Sequence, residues 1–239
     1  MRVQESMNFT KQKIGSLDAL CSGGIEKPKL IVLCHGFGAP GDDLAPLINA
    51  LPKDKDLSYI FPEAPLKLPP IFGGGRAWWN IDFASRQEQI QRDGGLDMSR
   101  DSPEGLDLAR DAFDSLMSEC SSAGGEAKKI VVGGFSQGAM VTLDWALRTE
   151  KTVAGVIQWS TTFLNESVWR PAIASLKAPV LQSHGTSDPI LPYSMADKLA
   201  KELHSANEQS KFITFPGQHG IPDVALKGAR ESIRQWLDV

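Results

Sequence analysis

Ser136, Asp188 and His219 occur in the order serine, acid, histidine, and each sits in a short break behind an apolar run. A serine hydroxyl is a weak nucleophile at neutral pH. It needs a histidine in contact to take its proton, and the histidine needs an acid to orient it and to stabilise its charged form. Ser136 lies in Gly134-Phe135-Ser136-Gln137-Gly138, after Lys129-Ile130-Val131-Val132-Gly133 and before Ala139-Met140-Val141-Thr142-Leu143. Strand, G-x-S-x-G turn and helix in that order are the context of a nucleophile elbow, which lifts the serine Oγ clear of the sheet. A helix starting directly behind the serine adds backbone N–H groups and a positive dipole end, both useful to a developing oxyanion. Taken alone, the pentapeptide also fits an ordinary glycine-rich turn.

Chain order narrows the choice of base and acid. Of four histidines, only His184, His204 and His219 follow Ser136. His184 closes a strand and precedes the candidate acid, which suits a structural turn histidine. His204 falls among Asp197, Lys198, Lys201 and Glu202, the pattern of a solvated helix face. His219, in Pro216-Gly217-Gln218-His219-Gly220-Ile221-Pro222, occupies a loop between the last strand and the last helix, where a base belongs. Asp188 follows the strand Pro179–Ser183 across a short turn and is stiffened by Pro189; an Asx turn before proline is its plainer reading. Asp197 is on a helix and Asp223 lies beyond the histidine.

An oxyanion hole requires two donors. One is the backbone N–H of Gln137, directly after the serine. The second is expected from His35-Gly36-Phe37-Gly38-Ala39-Pro40-Gly41, where glycines flanking Phe37 let the backbone approach a ligand; the Phe37 N–H is assigned to it. His35 precedes the serine and reads as a structural residue beneath that loop.

The elements that must carry these residues alternate between strand and helix. Apolar runs at Leu30–Cys34, Leu57–Phe61, Ile130–Gly133, Val153–Trp159, Pro179–Ser183 and Lys211–Phe215 are separated by helical patterns at Pro103–Cys120, Ala139–Arg148, Tyr193–His204 and Pro222–Leu237. That alternation predicts an α/β fold: a doubly wound, mostly parallel sheet with helices on both faces. Phe9–Ile14 and Ser16–Cys21, meeting at Gly15, read as an antiparallel edge. Residues 66–102, rich in Pro, Gly, Trp and charge, are expected to form a long loop or cap, with Trp78 and Trp79 in its wall or burying it against the sheet.

With 239 residues, 41% hydrophobic and 23% charged, the chain suits a single domain spanning 1–239. A net charge of −4 without a basic stripe predicts no nucleic-acid partner. Met1–Gly24 is polar and interrupted, and no run has the length of a membrane span, so a cytoplasmic protein is expected. Three scattered cysteines, Cys21, Cys34 and Cys120, offer neither a disulfide framework nor a metal knuckle.

On these residues the chain resembles the phospholipase/carboxylesterase family of α/β-hydrolases, which includes acyl-protein thioesterases. The resemblance runs from Leu30 to Trp236 through His35-Gly36-Phe37-Gly38, Phe61-Pro62-Glu63-Ala64-Pro65, Arg76-Ala77-Trp78-Trp79-Asn80-Ile81, Gly134-Phe135-Ser136-Gln137-Gly138-Ala139, His184-Gly185-Thr186-Ser187-Asp188-Pro189 and Gly217-Gln218-His219-Gly220-Ile221. It implies the α/β-hydrolase fold, Ser136, Asp188 and His219 as a triad, Phe37 and Gln137 amides as the oxyanion hole, and no metal or organic cofactor. The second tryptophan of the Trp78-Trp79 pair, Asn80 in place of a common Asp, the bulky Trp159 and a long charged insertion at Phe83–Ser102 depart from the family pattern.

Trp78, Trp79 and Trp159 are expected to wall the acyl site and keep it shallow, which favours short to medium acyl esters. A small-molecule acyl ester or thioester is therefore the expected partner, and the aromatic loop is also a candidate homodimer contact. Thioester or lysophospholipid substrates are alternatives within the class. A non-catalytic ligand-binding protein of hydrolase ancestry and a peptidase are alternatives outside it.

Overall fold

The computed structural model describes residues 9–70, 73–82, 86, 88, 90–92, 95–124 and 128–239. Eight strands form one sheet: β1 (Thr10–Ile14), β2 (Leu17–Cys21), β3 (Lys29–Cys34), β4 (Leu57–Pro62), β7 (Lys129–Phe135), β8 (Gly155–Trp159), β9 (Val180–Gly185) and β10 (Lys211–Phe215). Their order is β1-β2-β4-β3-β7-β8-β9-β10. The six strands from β4 to β10 in that order run parallel, and β1 and β2 close one edge antiparallel. Among the described residues, the α-helices that cover it include α1 (Leu106–Ser122), α2 (Gln137–Arg148), α3 (Glu166–Ile173), α4 (Tyr193–Ala206) and α5 (Asp223–Leu237).

Strand alternation explains why the central runs are apolar at every position. Leu30, Val32, Ile130, Val132 and Val156 face a core built with α1 to α4. Ile31, Leu33, Val131, Ile157 and Trp159 face a second core under α5. A strand buried on both faces has no polar side to show. Asp144, fully buried on α2, ties the first core together: Arg110 Nη1 lies 3.2 Å away, Arg148 Nε 3.3 Å away, and Trp169 Nε1 donates to it at 2.8 Å.

Helix α3 has no counterpart in the sequence expectation. It is 8 residues long with Pro171 inside it, too short and too interrupted for a periodic signal. Residues 66–102 are not a plain loop: they hold a hairpin of β5 (Leu66–Lys67) and β6 (Arg76–Ala77), and Arg86, Glu88 and Ile90 to Arg92 have helical backbone. The parts of the expected cap at 71–72, 83–85, 87, 89 and 93–94, and residues 1–8 of the polar N-terminal stretch, lie outside the described residues. No helix among the described residues is long and apolar enough to cross a membrane.

Candidate active site

Ser136 joins β7 to α2 with φ 53° and ψ −117°, a backbone conformation that costs a non-glycine residue about 1–3 kcal/mol. Two bonds hold it there: its N–H donates to the Trp159 carbonyl at 2.9 Å, and its carbonyl accepts the Met140 N–H at 3.1 Å. The flanking glycines are required by close packing. A Cβ on Gly134 would stand 2.4 Å from the Cys34 oxygen, and one on Gly138 would stand 2.2 Å from the same oxygen. The first turn of α2 therefore rests directly on the backbone end of β3.

The loops that carry Asp188 and His219 are fastened to each other. Thr186 N–H donates to the Phe215 carbonyl at 2.9 Å and Ser187 N–H to the Gly217 carbonyl at 3.0 Å. This brings His219 Nδ1 to 2.7 Å from Asp188 Oδ2. Asp188 Oδ1 accepts the N–H groups of Ile190 and Leu191 at 2.9 and 3.0 Å. Burial pushes the Asp188 carboxyl up, but the His219 bond and these two amides outweigh it and hold the group below the usual carboxylate range. The His219 ring packs on Phe135, centroids 4.8 Å apart.

Gly220 is clamped by Ser160, whose Oγ donates to the Gly220 carbonyl at 3.0 Å and accepts its N–H at 3.3 Å. Ser160 itself has a positive φ of 48°. Sequence reasoning missed this residue, because a serine after a strand carries no signal of a partner sixty positions away.

Ser136, His219, Phe37 and Gln137 all line one cavity of about 210 Å³. Its walls are mostly apolar, with Trp79, Ile81, Leu96, Met98, Met140 and Leu191 among them, and the charged residues Asp43 and Arg86 also line it. Trp78 and Trp159 do not belong to this wall. Trp159 shares the strand face of Ile157 and packs in the core under α5, because alternation along β8 turns it away from the cavity. Trp78 is buried with its indole N–H on the His35 carbonyl at 2.9 Å.

The remaining motifs position the loop that carries Phe37. His35 is buried, donates Nδ1–H to the Gly36 carbonyl at 2.7 Å, and accepts the Ala64 N–H on Nε2 at 3.1 Å. Burial keeps this imidazole below its ordinary range, so it serves as a neutral brace, as its place in the chain suggested. Gly38 N–H donates to Arg76 O and Arg76 N–H to Ala39 O, both at 2.9 Å. Arg76 in turn pairs with Glu63 at 2.7 Å. Gln137 has a second role beyond its backbone. Its Oε1 accepts the Trp78 N–H at 2.8 Å and its Nε2 donates to the Trp79 carbonyl at 2.9 Å, pinning the tryptophan pair to the elbow.

His184 is not a turn residue. It lies inside β9, fully buried, with Nε2 2.9 Å from the Leu191 carbonyl and 3.3 Å from Asp188 Oδ2. His204 is exposed on α4, with Nδ1 3.0 Å from the Ser210 carbonyl. The three cysteines are buried and free, and burial raises each thiol, Cys120 to about 12, which leaves no ready thiolate.

A serine raised on a strand-to-helix turn of a mostly parallel sheet, with an aspartate and a histidine in contact on the loops that follow, is the arrangement of an α/β-hydrolase. The chain belongs to the phospholipase/carboxylesterase family, whose model matches residues 18–237. It is 31% identical over 223 residues to acyl-protein thioesterase 1 of Debaryomyces hansenii, covering 87% of this chain and 90% of that protein. It is 29% identical to acyl-protein thioesterase 1 of Schizosaccharomyces pombe over 192 residues, 78% of this chain and 80% of that one. Among solved structures, esterase PE8 superposes with a TM-score of 0.69 at 22% identity, covering 88% of this chain and 94% of its own. A phospholipase/carboxylesterase from Dyadobacter fermentans gives 0.66 at 22% identity, covering 95% and 99%. The protein is thus a hydrolase of the esterase and thioesterase family.

Proposed function

We propose that the protein is a serine carboxylic-ester hydrolase that works through an acyl-enzyme on short- to medium-chain acyl esters. The observation that carries this reading is the 2.7 Å bond between His219 and Asp188 at the edge of an apolar cavity that Ser136 also lines. With Nδ1 committed to Asp188, Nε2 is the ring nitrogen left to take the Ser136 proton as Oγ attacks the acyl carbon. The Phe37 and Gln137 amides hold the tetrahedral oxyanion; Gln137 opens α2, and the first N–H groups of a helix have no acceptor within it. His219 then protonates the leaving alcohol, and a water repeats the sequence to release the acid.

Cavity size supports the chain-length preference. A cavity of about 150 Å³ accommodates the six carbons of benzene, so 210 Å³ corresponds to about eight. The relatives named acyl-protein thioesterase 1 favour a second reading in which the leaving atom is the sulfur of an acylated protein. Hydrolysis of p-nitrophenyl esters from acetyl to palmitoyl, with an acyl thioester alongside, tests both. Ser136→Ala should abolish turnover while leaving the melting temperature near wild type. Turnover that survives the substitution refutes the nucleophile, and a clear preference for the thioester moves the second reading to the front.

A further inference from the structure

His184 takes no part in the chemistry just proposed, yet it touches the acid on which that chemistry depends. The Leu191 carbonyl 2.9 Å from its Nε2 can only accept, so Nε2 carries the ring proton. The same nitrogen lies 3.3 Å from Asp188 Oδ2, outside hydrogen-bond geometry, so its N–H acts on that oxygen as a neighbouring dipole. Burial holds this imidazole below its ordinary range and keeps it neutral. Asp188 thus has three N–H donors, Ile190 and Leu191 on Oδ1 and His219 on Oδ2, with the His184 ring edge beside Oδ2.

We propose that His184 is a positioning residue for Asp188: its Nε2–H holds Leu191, whose own N–H donates to Oδ1, and its ring edge backs Oδ2, so that it fixes the rotation of the carboxylate and closes the chain between β9 and α4. The proposal rests on Asp188 and His219 acting as acid and base. Without His184, Oδ2 would be located only by His219, the very group it has to orient. His184 supplies an independent reference because its backbone belongs to the sheet interior, paired with Thr214 of β10 while neighbouring Ser183 pairs with Trp159 of β8. The titratable groups around it are Asp188 in the acid loop, His219 in the base loop and Tyr193 of α4, whose ring centroid is 6.4 Å away.

The experiment compares wild type, His184→Met and His184→Gln by ester kinetics across pH, with melting curves for each. Methionine fills the space without a donor. Glutamine places an amide N–H near the position of the imidazole Nε2–H and cannot ionise. His184→Met should lower kcat by about 10- to 100-fold with little change in KM, the scale of a small misplacement of a catalytic group. The acid limb of its kcat/KM profile should move to higher pH, since a carboxylate that loses the N–H dipole beside Oδ2 draws the proton of its partner more strongly. His184→Gln should return both quantities towards wild type.

A folded His184→Met with wild-type kcat and an unmoved acid limb overturns the proposal, as does a folded His184→Gln as impaired as His184→Met. If His184→Met does not fold, His184→Gln decides by keeping or losing activity and acid limb together. Wild-type turnover that depends on Ser136 is the control for the underlying reading. The NMR signal of the His219 Nδ1–H needs no turnover and separates the two failures. A signal lost in the methionine variant and restored in the glutamine variant upholds the positioning role even if no ester is hydrolysed; an unchanged signal overturns it.

Discussion

Met140→Ala is the sharpest test of where the acyl chain lies. Met140 is one helical turn beyond Ser136, 3% exposed, and its side chain lines the cavity. The benzene benchmark corresponds to about 25 Å³ per carbon, so removing three heavy atoms adds about 75 Å³, room for about three more carbons. In wild type, each methylene that finds apolar wall should contribute about 0.8 kcal/mol, about fourfold in kcat/KM, until about eight carbons are in place. Beyond that length the gain should stop or reverse, because extra carbons must displace packed side chains. In Met140→Ala the rise should continue for about three further carbons, with up to about fourfold for each relative to the octanoyl ester. The variant should also lose about 2–5 kcal/mol of stability through the cavity it creates. Profiles normalised to one ester are unaffected by a partly unfolded preparation, so the p-nitrophenyl series reads the pocket and a melting curve reads the fold. A folded Met140→Ala whose profile superposes on wild type would show that the acyl chain does not occupy this cavity. A wild type that prefers palmitoyl would contradict the volume argument directly.

Gln137→Leu keeps the backbone N–H proposed for the oxyanion hole but strips the Trp78 N–H and the Trp79 carbonyl of their partners. At about 1–3 kcal/mol for each buried group left unpaired, the melting temperature should fall by at least about 4 °C; a fall below about 2 °C would show that the tryptophan pair is held by other means. Stability should also depend on pH through His35 and His184, both held neutral by burial. Their folded values lie below an unfolded value of about 6.5, so their contribution is complete above about pH 6.5 and is lost as pH falls through the folded values. The slope should reach about 1.4 kcal/mol per pH unit for each ring. Asp188, with a folded value below the usual range, loses its contribution only below its unfolded value of about 3.9 and does not interfere. Urea unfolding between about pH 7 and about pH 5 measures this, and a flat profile would mean that the two rings protonate as easily folded as unfolded.

The sequence by itself determined the order of elements and the family, and it singled out the candidate reacting groups. Continuous apolar runs can only be strands buried on both faces, and a serine between glycines at a strand-to-helix junction has few other uses. Chain order set aside His35 and His184 as candidates for the base, and a charged helical pattern set aside His204. What tertiary structure decided is what each side chain faces. Trp159 reads as a pocket residue by composition, but period-two alternation along β8, fixed by register with β7, places it under α5. Trp78 and Trp79 are adjacent in sequence, yet one is spent on the His35 carbonyl and the other walls the cavity. Ser160 and His184 acquired their parts only when separate loops met: Ser160 clamps a residue 60 positions ahead, and His184 faces a carboxylate whose loop folds back on its own strand. Such contacts depend on which strands become neighbours, and that follows from the packing of the whole sheet, not from any local pattern along the chain.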